Sequence, residues 1–139
     1  MTRKIAVQNK LIKYVRSRYP LIKPVSTQGL FNYRCHENCV QYAIDHAADL
    51  PGLEIFECIY IDDIAQPTLH YLNFDPVAGK YLETTLGWQA EHYEFYVIRR
   101  IHPSDWPRIL REFENSLDAW RDQFTTWWDR SVLGIRRIL

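Results

Sequence analysis

The chain has 139 residues, of which 47% are hydrophobic and 24% are charged, and its 17 basic residues balance its 17 acidic ones. This length favours a single domain over residues 1–139, because domains usually contain about 100 to 200 residues. The high apolar content, with five glycines, seven prolines and three cysteines, excludes a collagen, a disordered chain and a disulfide scaffold.

Targeting and membrane signals are missing from the sequence. No apolar run approaches the about 18 residues that a membrane span needs, and the first ten residues lack the apolar stretch of a secretory signal. We therefore expect a cytoplasmic protein with free thiols and no membrane span.

The balanced charge is unevenly distributed along the chain. Residues 1–34 carry a net charge of +8, residues 35–98 carry −10 and residues 99–139 carry +2. Such asymmetry is typical either of a nucleic-acid-binding arm or of a basic helix packed on an acidic sheet. We favour the second interpretation, without a nucleic-acid partner, because no aromatic-interleaved binding motif accompanies the basic residues.

Two helices are predicted first, joined by a loop. Apolar residues recur at helical spacing over 3–18, and Pro20 ends this run. Residues 20–34 predict a loop, because they contain Pro20, Pro24, Ser26, Thr27, Gln28, Gly29 and Asn32. A second helix is predicted over 35–48 and stops before Pro51-Gly52.

Four short segments rich in aromatic and β-branched residues follow, at 53–61, 69–75, 80–86 and 93–101. They predict antiparallel strands. The sequence from Asp75 to Gly79 suits the turn of a hairpin between the second and third strands.

A long amphipathic helix is predicted over about 104–131. Its apolar stripe follows alternating steps of four and three residues through Trp106, Leu110, Phe113, Leu117, Trp120, Phe124 and Trp127. This stripe can pack on the sheet of the same chain, on a second copy or partner helix, or on a membrane surface. The predicted fold is thus α+β: N-terminal helices on a roughly four-stranded antiparallel sheet, followed by a long C-terminal helix.

Cys35 is the first candidate for chemistry, because it lies at the start of a predicted helix after a polar loop. The unpaired N–H groups and the dipole of a helix start favour a thiolate over a thiol. His70 and Glu83 lie on the two strands of the predicted hairpin, where a carboxylate can orient an imidazole. Cysteine, histidine and acid in this order form a workable catalytic triad.

These residues resemble the papain-like and transglutaminase-like cysteine enzymes over roughly residues 33–88. The resemblance lies in the helix start Cys35-His-Glu-Asn38, the strand His70-Tyr-Leu-Asn-Phe-Asp and the segment Tyr81-Leu-Glu-Thr-Thr-Leu-Gly-Trp. It extends to small bacterial and phage proteins with a Cys-His-x-Asn helix start. The resemblance implies a core unit over about 33–101 with Cys35 as the nucleophile. In this sequence, Glu83 stands where the transglutaminase pattern has Asp, and Thr84 where it has Pro.

Several assignments stay open at this point. Cys39 is an alternative nucleophile, one helical turn after Cys35. Gln28 and Asn38 are candidates to support an oxyanion beside the backbone N–H of Cys35, and Asn38 is alternatively a residue that fixes the loop. Zinc binding by Cys35, His36, Cys39 and His70 is a competing chemistry, but the spacing lacks a second ligand pair and we predict neither metal nor cofactor.

The sequence therefore favours a thiol-dependent hydrolase or acyltransferase that uses Cys35, His70 and Glu83 on an amide: a peptide, an isopeptide or a glutamine side chain. The expected partner is a protein or peptide substrate. The alternative is a non-catalytic binding or assembly protein of the same fold, which would use its Trp-rich C-terminal helix to bind itself or a partner helix.

Overall fold

A computed structural model describes residues 3–30, 32 and 34–109 of the chain. Two helices come first in the chain with two short strands between them, and four longer strands follow. The elements are α1 (Arg3–Arg18), β1 (Leu21–Ile22), β2 (Val25–Ser26), α2 (Cys35–Asp45), β3 (Glu54–Ile61), β4 (Pro67–Asp75), β5 (Lys80–Glu83) and β6 (Glu94–Ile101). Short 3-10 helices lie at Gly87–His92 and Pro103–Asp105.

The described strands form one sheet in the order β1-β6-β3-β4-β5-β2. The four central strands, β6, β3, β4 and β5, are antiparallel to one another. At the two edges, β1 pairs antiparallel with β6 and β2 pairs parallel with β5. The sheet is therefore mixed, with β4 near its middle.

Helix α1 packs on one face of the sheet. Its buried residues Leu11, Ile12 and Val15 lie in a cluster with side chains of β3, β4 and β6. At its end, the guanidinium of Arg16 donates to both carboxylate oxygens of Glu94, at 3.2 and 2.7 Å. An ion pair thus joins the end of the basic helix to the first residue of β6.

Helix α2 packs on the same face of the sheet. Cys35 and Cys39 lie in a buried cluster with Ile55, Tyr71 and Ile101. The opposite face is covered by the segment that leads into the 3-10 helix Gly87–His92, through a cluster of Cys58, Leu72, Leu86, Ala90 and Phe95. No helix among the described residues is long and apolar enough to cross a membrane.

The α+β class, the helix over residues 3–18 and the four main strands are confirmed. The prediction of four purely antiparallel strands is wrong, because residues 20–34 contribute two further strands and one of them is parallel. Strands of two residues carry no periodicity that a sequence pattern can detect. The predicted helix over 104–131 falls mainly outside the described residues, which end at Ile109.

Candidate active site

The turn between β4 and β5 determines which side chains meet across this hairpin. The Asp75 carboxylate accepts the backbone N–H groups of Val77 and Ala78, at 3.0 and 3.3 Å. Gly79 has φ +67°, a left-handed conformation that glycine adopts without strain. These features fix the turn length and with it the register of the hairpin.

That register makes His70 and Glu83 diagonal neighbours on one face of the sheet. The ladder pairs Asn73 with Leu82, so the following position brings Leu72 opposite Glu83. His70 lies two residues before Leu72 and therefore on the same face. Diagonal neighbours on a sheet face are within reach of long side chains.

His70 and Glu83 form a buried hydrogen-bonded pair. The distance between His70 Nε2 and Glu83 Oε2 is 2.7 Å, and the two side chains are 3% and 0% exposed. The second carboxylate oxygen, Oε1, accepts the N–H groups of Thr85 and Leu86 at 2.7 and 2.9 Å. Both oxygens are thus held, and the imidazole has one orientation relative to the sheet.

Cys35 is the first residue of α2 and lies beside the part of β4 that no longer pairs with β5. The β4–β5 pairing ends at Asn73 and Leu82, and the backbone N–H of Tyr71 beyond that pair donates to the Cys35 sulfur. Tyr71 and His70 point to opposite faces of the strand. At this strand edge, Cys35 contacts both the backbone N–H of Tyr71 and the imidazole ring of His70.

The surroundings of Cys35 favour the thiolate. Burial by itself raises the pKa of this thiol, but the charge of His70 and hydrogen bonds from His36, His70 and the Tyr71 N–H outweigh it and lower the pKa to about 6. Burial lowers the pKa of His70, yet the charges of Glu83 and Cys35 raise it to about 10. Between these values, the pair is a thiolate and an imidazolium.

Glu83 stays ionised in the same arrangement. Burial raises the pKa of its carboxyl group, whereas the charge and hydrogen bond of His70 and the N–H groups of Leu86 and Thr85 lower it by more. The site therefore contains a row of alternating charges: thiolate, imidazolium and carboxylate.

Cys39 and Cys58 have different surroundings. Both are fully buried, and burial, as the main cause, raises the pKa of each thiol. The Cys39 sulfur lies 3.5 Å from Thr84 Oγ1 and packs in the core. The geometry therefore favours Cys35 over Cys39 as the nucleophile.

The two residues predicted to support an oxyanion have other contacts. Asn38 donates from Nδ2 to Asn32 Oδ1 and to Thr85 Oγ1, both at 2.9 Å. Its two N–H groups are thereby occupied, and its role is to tie α2 to the preceding loop and to the end of β5. Gln28 donates from Nε2 to the carbonyl of Thr84 at 3.2 Å, beside Glu83.

Three contributors were missed at the level of sequence. In the sequence, His36 is a candidate only for zinc binding, whereas its side chain is a hydrogen-bond partner of Cys35 in the structure. The Tyr71 N–H has no sequence signal, because it depends on where β5 leaves β4. Thr85 holds Glu83 through its backbone and Asn38 through its side chain, and only its position two residues after the acid could have suggested this.

Aromatic side chains surround the imidazole on its own face of the sheet. Tyr60 meets His70 edge to face, with ring centroids 5.1 Å apart, and stacks on Tyr93 at 5.3 Å. Phe95 lies 6.1 Å from His70. This apolar wall limits the water around the charged pair, which strengthens its electrostatic interactions.

Within the described part of the chain, no group of three or more His, Cys, Asp or Glu side chains is arranged to hold a metal ion. The cysteine and histidine side chains at the site contact each other instead.

No protein-family model, curated protein or solved structure matches this chain. The class of protein therefore has to be argued from the fold and the site.

Proposed function

We propose that this protein is a thiol hydrolase or acyltransferase that acts on an amide bond. Cys35 is the nucleophile, His70 exchanges the proton, and Glu83 orients His70. The observation that carries this proposal is the buried 2.7 Å bond between His70 Nε2 and Glu83 Oε2, on an imidazole that also interacts with the thiol of Cys35. A structural histidine does not need a buried carboxylate on one side and a thiol on the other.

The proposed first half-reaction forms a thioester. The Cys35 thiolate attacks the amide carbon, a sulfur–carbon bond forms, and the carbonyl electron pair moves to the oxygen. When this intermediate collapses, the carbon–nitrogen bond breaks and the His70 imidazolium gives its proton to the leaving amine. Glu83 retains its charge and stabilises the imidazolium, as the acid of a triad does.

The second half-reaction decides between hydrolysis and transfer. Neutral His70 takes a proton from a water molecule or from an amine, which then attacks the thioester carbon. Water gives a carboxylic acid, whereas an amine gives a new amide. Either path releases Cys35 as a thiolate and restores the imidazolium.

The start of α2 is suited to stabilise the oxyanion of the intermediate. The first N–H groups of a helix have no partner within the helix, and the helix dipole places a partial positive charge there. The backbone N–H of Cys35 is the default donor. Gln28 is the candidate second donor on sequence grounds, and its amide donates to the carbonyl of Thr84.

This proposal places the protein with the papain-like and transglutaminase-like cysteine enzymes. What supports it is the order of the three residues and their positions on a helix start and two neighbouring antiparallel strands. The substrate on this proposal is a peptide bond, an isopeptide bond or a glutamine side chain.

An acyl-trapping experiment tests the proposal. The protein is incubated with p-nitrophenyl acetate, an activated acyl donor, and we expect a burst of nitrophenolate together with acetylation of Cys35, located by mass spectrometry. Cys35→Ala removes the burst and His70→Ala slows it, whereas Cys58→Ala, the matched control, keeps it. An equal burst in the wild type and in Cys35→Ala would contradict the proposal.

The same preparation then distinguishes hydrolysis from transfer. A pooled set of fluorogenic peptide amides reports hydrolysis, and a fluorescent primary amine offered with a glutamine-containing protein reports transfer. Loss of signal in Cys35→Ala assigns the activity to this site.

A further inference from the structure

A side-chain bond ties the nucleophile helix to the strand end that carries the acid. Asn38 Nδ2 donates to Thr85 Oγ1 at 2.9 Å, and these residues are 7% and 1% exposed. Asn38 lies one helical turn after Cys35 and thus near the start of α2. Thr85 lies two residues after Glu83.

The same threonine contacts the carboxylate directly. The N–H of Thr85 donates to Glu83 Oε1 at 2.7 Å, and Glu83 Oε2 lies 2.7 Å from His70 Nε2. His70 in turn interacts with Cys35. The contacts therefore run from Asn38 through Thr85, Glu83 and His70 to Cys35. Asn38 and Cys35 both lie on the first turn of α2, so the series of contacts begins and ends on the same helix turn.

We propose that Asn38 and Thr85 are positioning residues that hold the Cys35 sulfur against the His70 imidazole. The inference rests on the proposed role of Cys35 and concerns what keeps that site assembled. Neither residue contacts the substrate in this proposal. They act by fixing the start of α2 relative to the turn that carries Glu83.

A separate set of bonds holds the rest of α2. Asn73 Nδ2 donates to the carbonyl of Cys39 at 3.0 Å, and Thr84 Oγ1 donates to Asn73 Oδ1 at 3.3 Å. These bonds and the apolar cluster around Cys39 dock the second turn of the helix on the sheet. Loss of the Thr85 hydroxyl is therefore expected to loosen the helix start and leave the helix in place.

Asn38 also restrains the loop before the helix. Besides donating to Asn32 Oδ1, it accepts from Asn32 Nδ2 at 3.3 Å, and Asn32 Oδ1 accepts the N–H of Arg34 at 3.1 Å. The buried side-chain amide of Asn38 thus holds both the loop that precedes α2 and the segment after β5 that contains Thr85.

The experiment measures the pH midpoint of Cys35 alkylation by iodoacetamide in the full chain. Thr85→Val keeps the backbone bond to Glu83 and removes the hydroxyl that Asn38 needs. We expect its midpoint to rise by about one pH unit or more above that of the wild type. Thr85→Ser, which retains the hydroxyl, returns the midpoint to the wild-type value.

Thr84→Val is the matched control, because it removes a neighbouring buried threonine hydroxyl that belongs to the second set of bonds. It is expected to lower the melting temperature about as much as Thr85→Val while leaving the alkylation midpoint close to that of the wild type. Asn38→Ala is expected to raise the midpoint as Thr85→Val does, and the double variant to add nothing further. If Thr85→Val does not fold, Asn38→Ala is judged by the same criterion.

The outcomes separate this inference from the proposed function. A folded Thr85→Val or Asn38→Ala with the midpoint of the wild type overturns the positioning role, even if Cys35 is activated. A wild-type midpoint near 9, in contrast, would show that Cys35 is not activated and would overturn the proposed function itself.

Discussion

Cys35 and Cys39 lie one helical turn apart on α2, yet their surroundings move their pKa values in opposite directions. Cys35 is at the helix start, where an imidazole, a backbone N–H and the helix dipole all favour a negative sulfur. Cys39 is one turn further into the core, where burial is the main influence. A helix start and a helix interior thus give the same side chain different chemistry.

The first prediction concerns which cysteine reacts. At pH 7, iodoacetamide should label Cys35 of the native protein, while Cys39 and Cys58 react only after denaturation. All three thiols are buried, but only the pKa of Cys35 is lowered, and the thiolate is the form that reacts. Peptide mapping with light and heavy reagent before and after denaturation measures this. Early labelling of Cys39 would contradict the assignment of the nucleophile.

His70→Ala should remove most of the activation of Cys35. The charge of His70 is the largest influence that lowers the pKa of this thiol, so the midpoint of alkylation should rise from about 6 to 9 or above. At pH 7 the thiolate fraction, and with it the rate, should fall about 100-fold. His102→Ala, which replaces an exposed histidine hydrogen-bonded to Ser104, serves as the control and should leave the rate unchanged.

Glu83→Gln should weaken the site while keeping its shape. The N–H groups of Thr85 and Leu86 favour the amide oxygen at the Oε1 position, so the amide NH2 faces His70 Nε2 and stabilises the neutral imidazole. The pKa of His70 should fall, and the alkylation rate at pH 7 with it. Because a charged buried hydrogen bond is lost, the free energy of unfolding should decrease by about 1 to 3 kcal/mol. An unchanged pH profile in a folded variant would argue against the orienting role of Glu83.

The dependence of stability on pH provides a test that needs no substrate. The raised pKa of His70 gives stability that is complete below about 6.5 and is lost as the pH rises toward about 10. The lowered pKa of Cys35 gives stability that is complete above 9.0 and is lost as the pH falls toward about 6. Between about pH 6.5 and 9 the two slopes oppose each other, because the native and unfolded states bind the same number of protons at these two groups.

Cys35→Ser removes the contribution of the cysteine to this pH dependence and leaves that of His70. The free energy of unfolding should then decrease with rising pH above about 6.5, with a limiting slope of about 1.4 kcal/mol per pH unit while His70 stays protonated in the native state. Urea unfolding at several pH values measures the slope, with Cys58→Ser as the control. Parallel pH profiles for the wild type and Cys35→Ser would show that the two groups are not paired.

The docking of α1 is testable independently of the site. Val15 is fully buried between α1 and the sheet, so Val15→Ala should lower the free energy of unfolding by about 2 kcal/mol through lost burial and a residual cavity. The alkylation midpoint of Cys35 should not change, because Val15 and Cys35 lie in different buried clusters. A shift of the midpoint would show that the helix also supports the site.

The sequence predicted the elements that have a strong pattern. The helical spacing of Leu11, Ile12 and Val15 reflects burial on one face of α1, which a period of 3.6 reveals. The strand that carries His70 is buried on both faces, and its aromatic and β-branched residues predict it without an alternating pattern. The predicted hairpin also suggested that His70 and Glu83 meet, and in the structure their side chains lie 2.7 Å apart. The roles assigned to these residues remain predictions.

The details that the sequence did not predict depend on contacts between residues that are far apart in the chain. The end of β5 at Glu83 and the open edge of β4 beside Tyr71 follow from where the chain turns away after the hairpin, and no local pattern marks this. The tie between Asn38 and Thr85 joins residues that are 47 positions apart. Edge strands of two residues, such as Val25–Ser26, are likewise fixed by their partners and not by their own sequence.

The turn closed by Asp75 and Gly79 has a consequence for the pairing of His70 with Glu83. A strand alternates sides at every residue, so one residue added to or removed from this turn would swing the Glu83 carboxylate to the reverse side of the sheet, away from the imidazole. A single-codon insertion at this exposed bend would then part a buried carboxylate from a buried imidazole without replacing either residue.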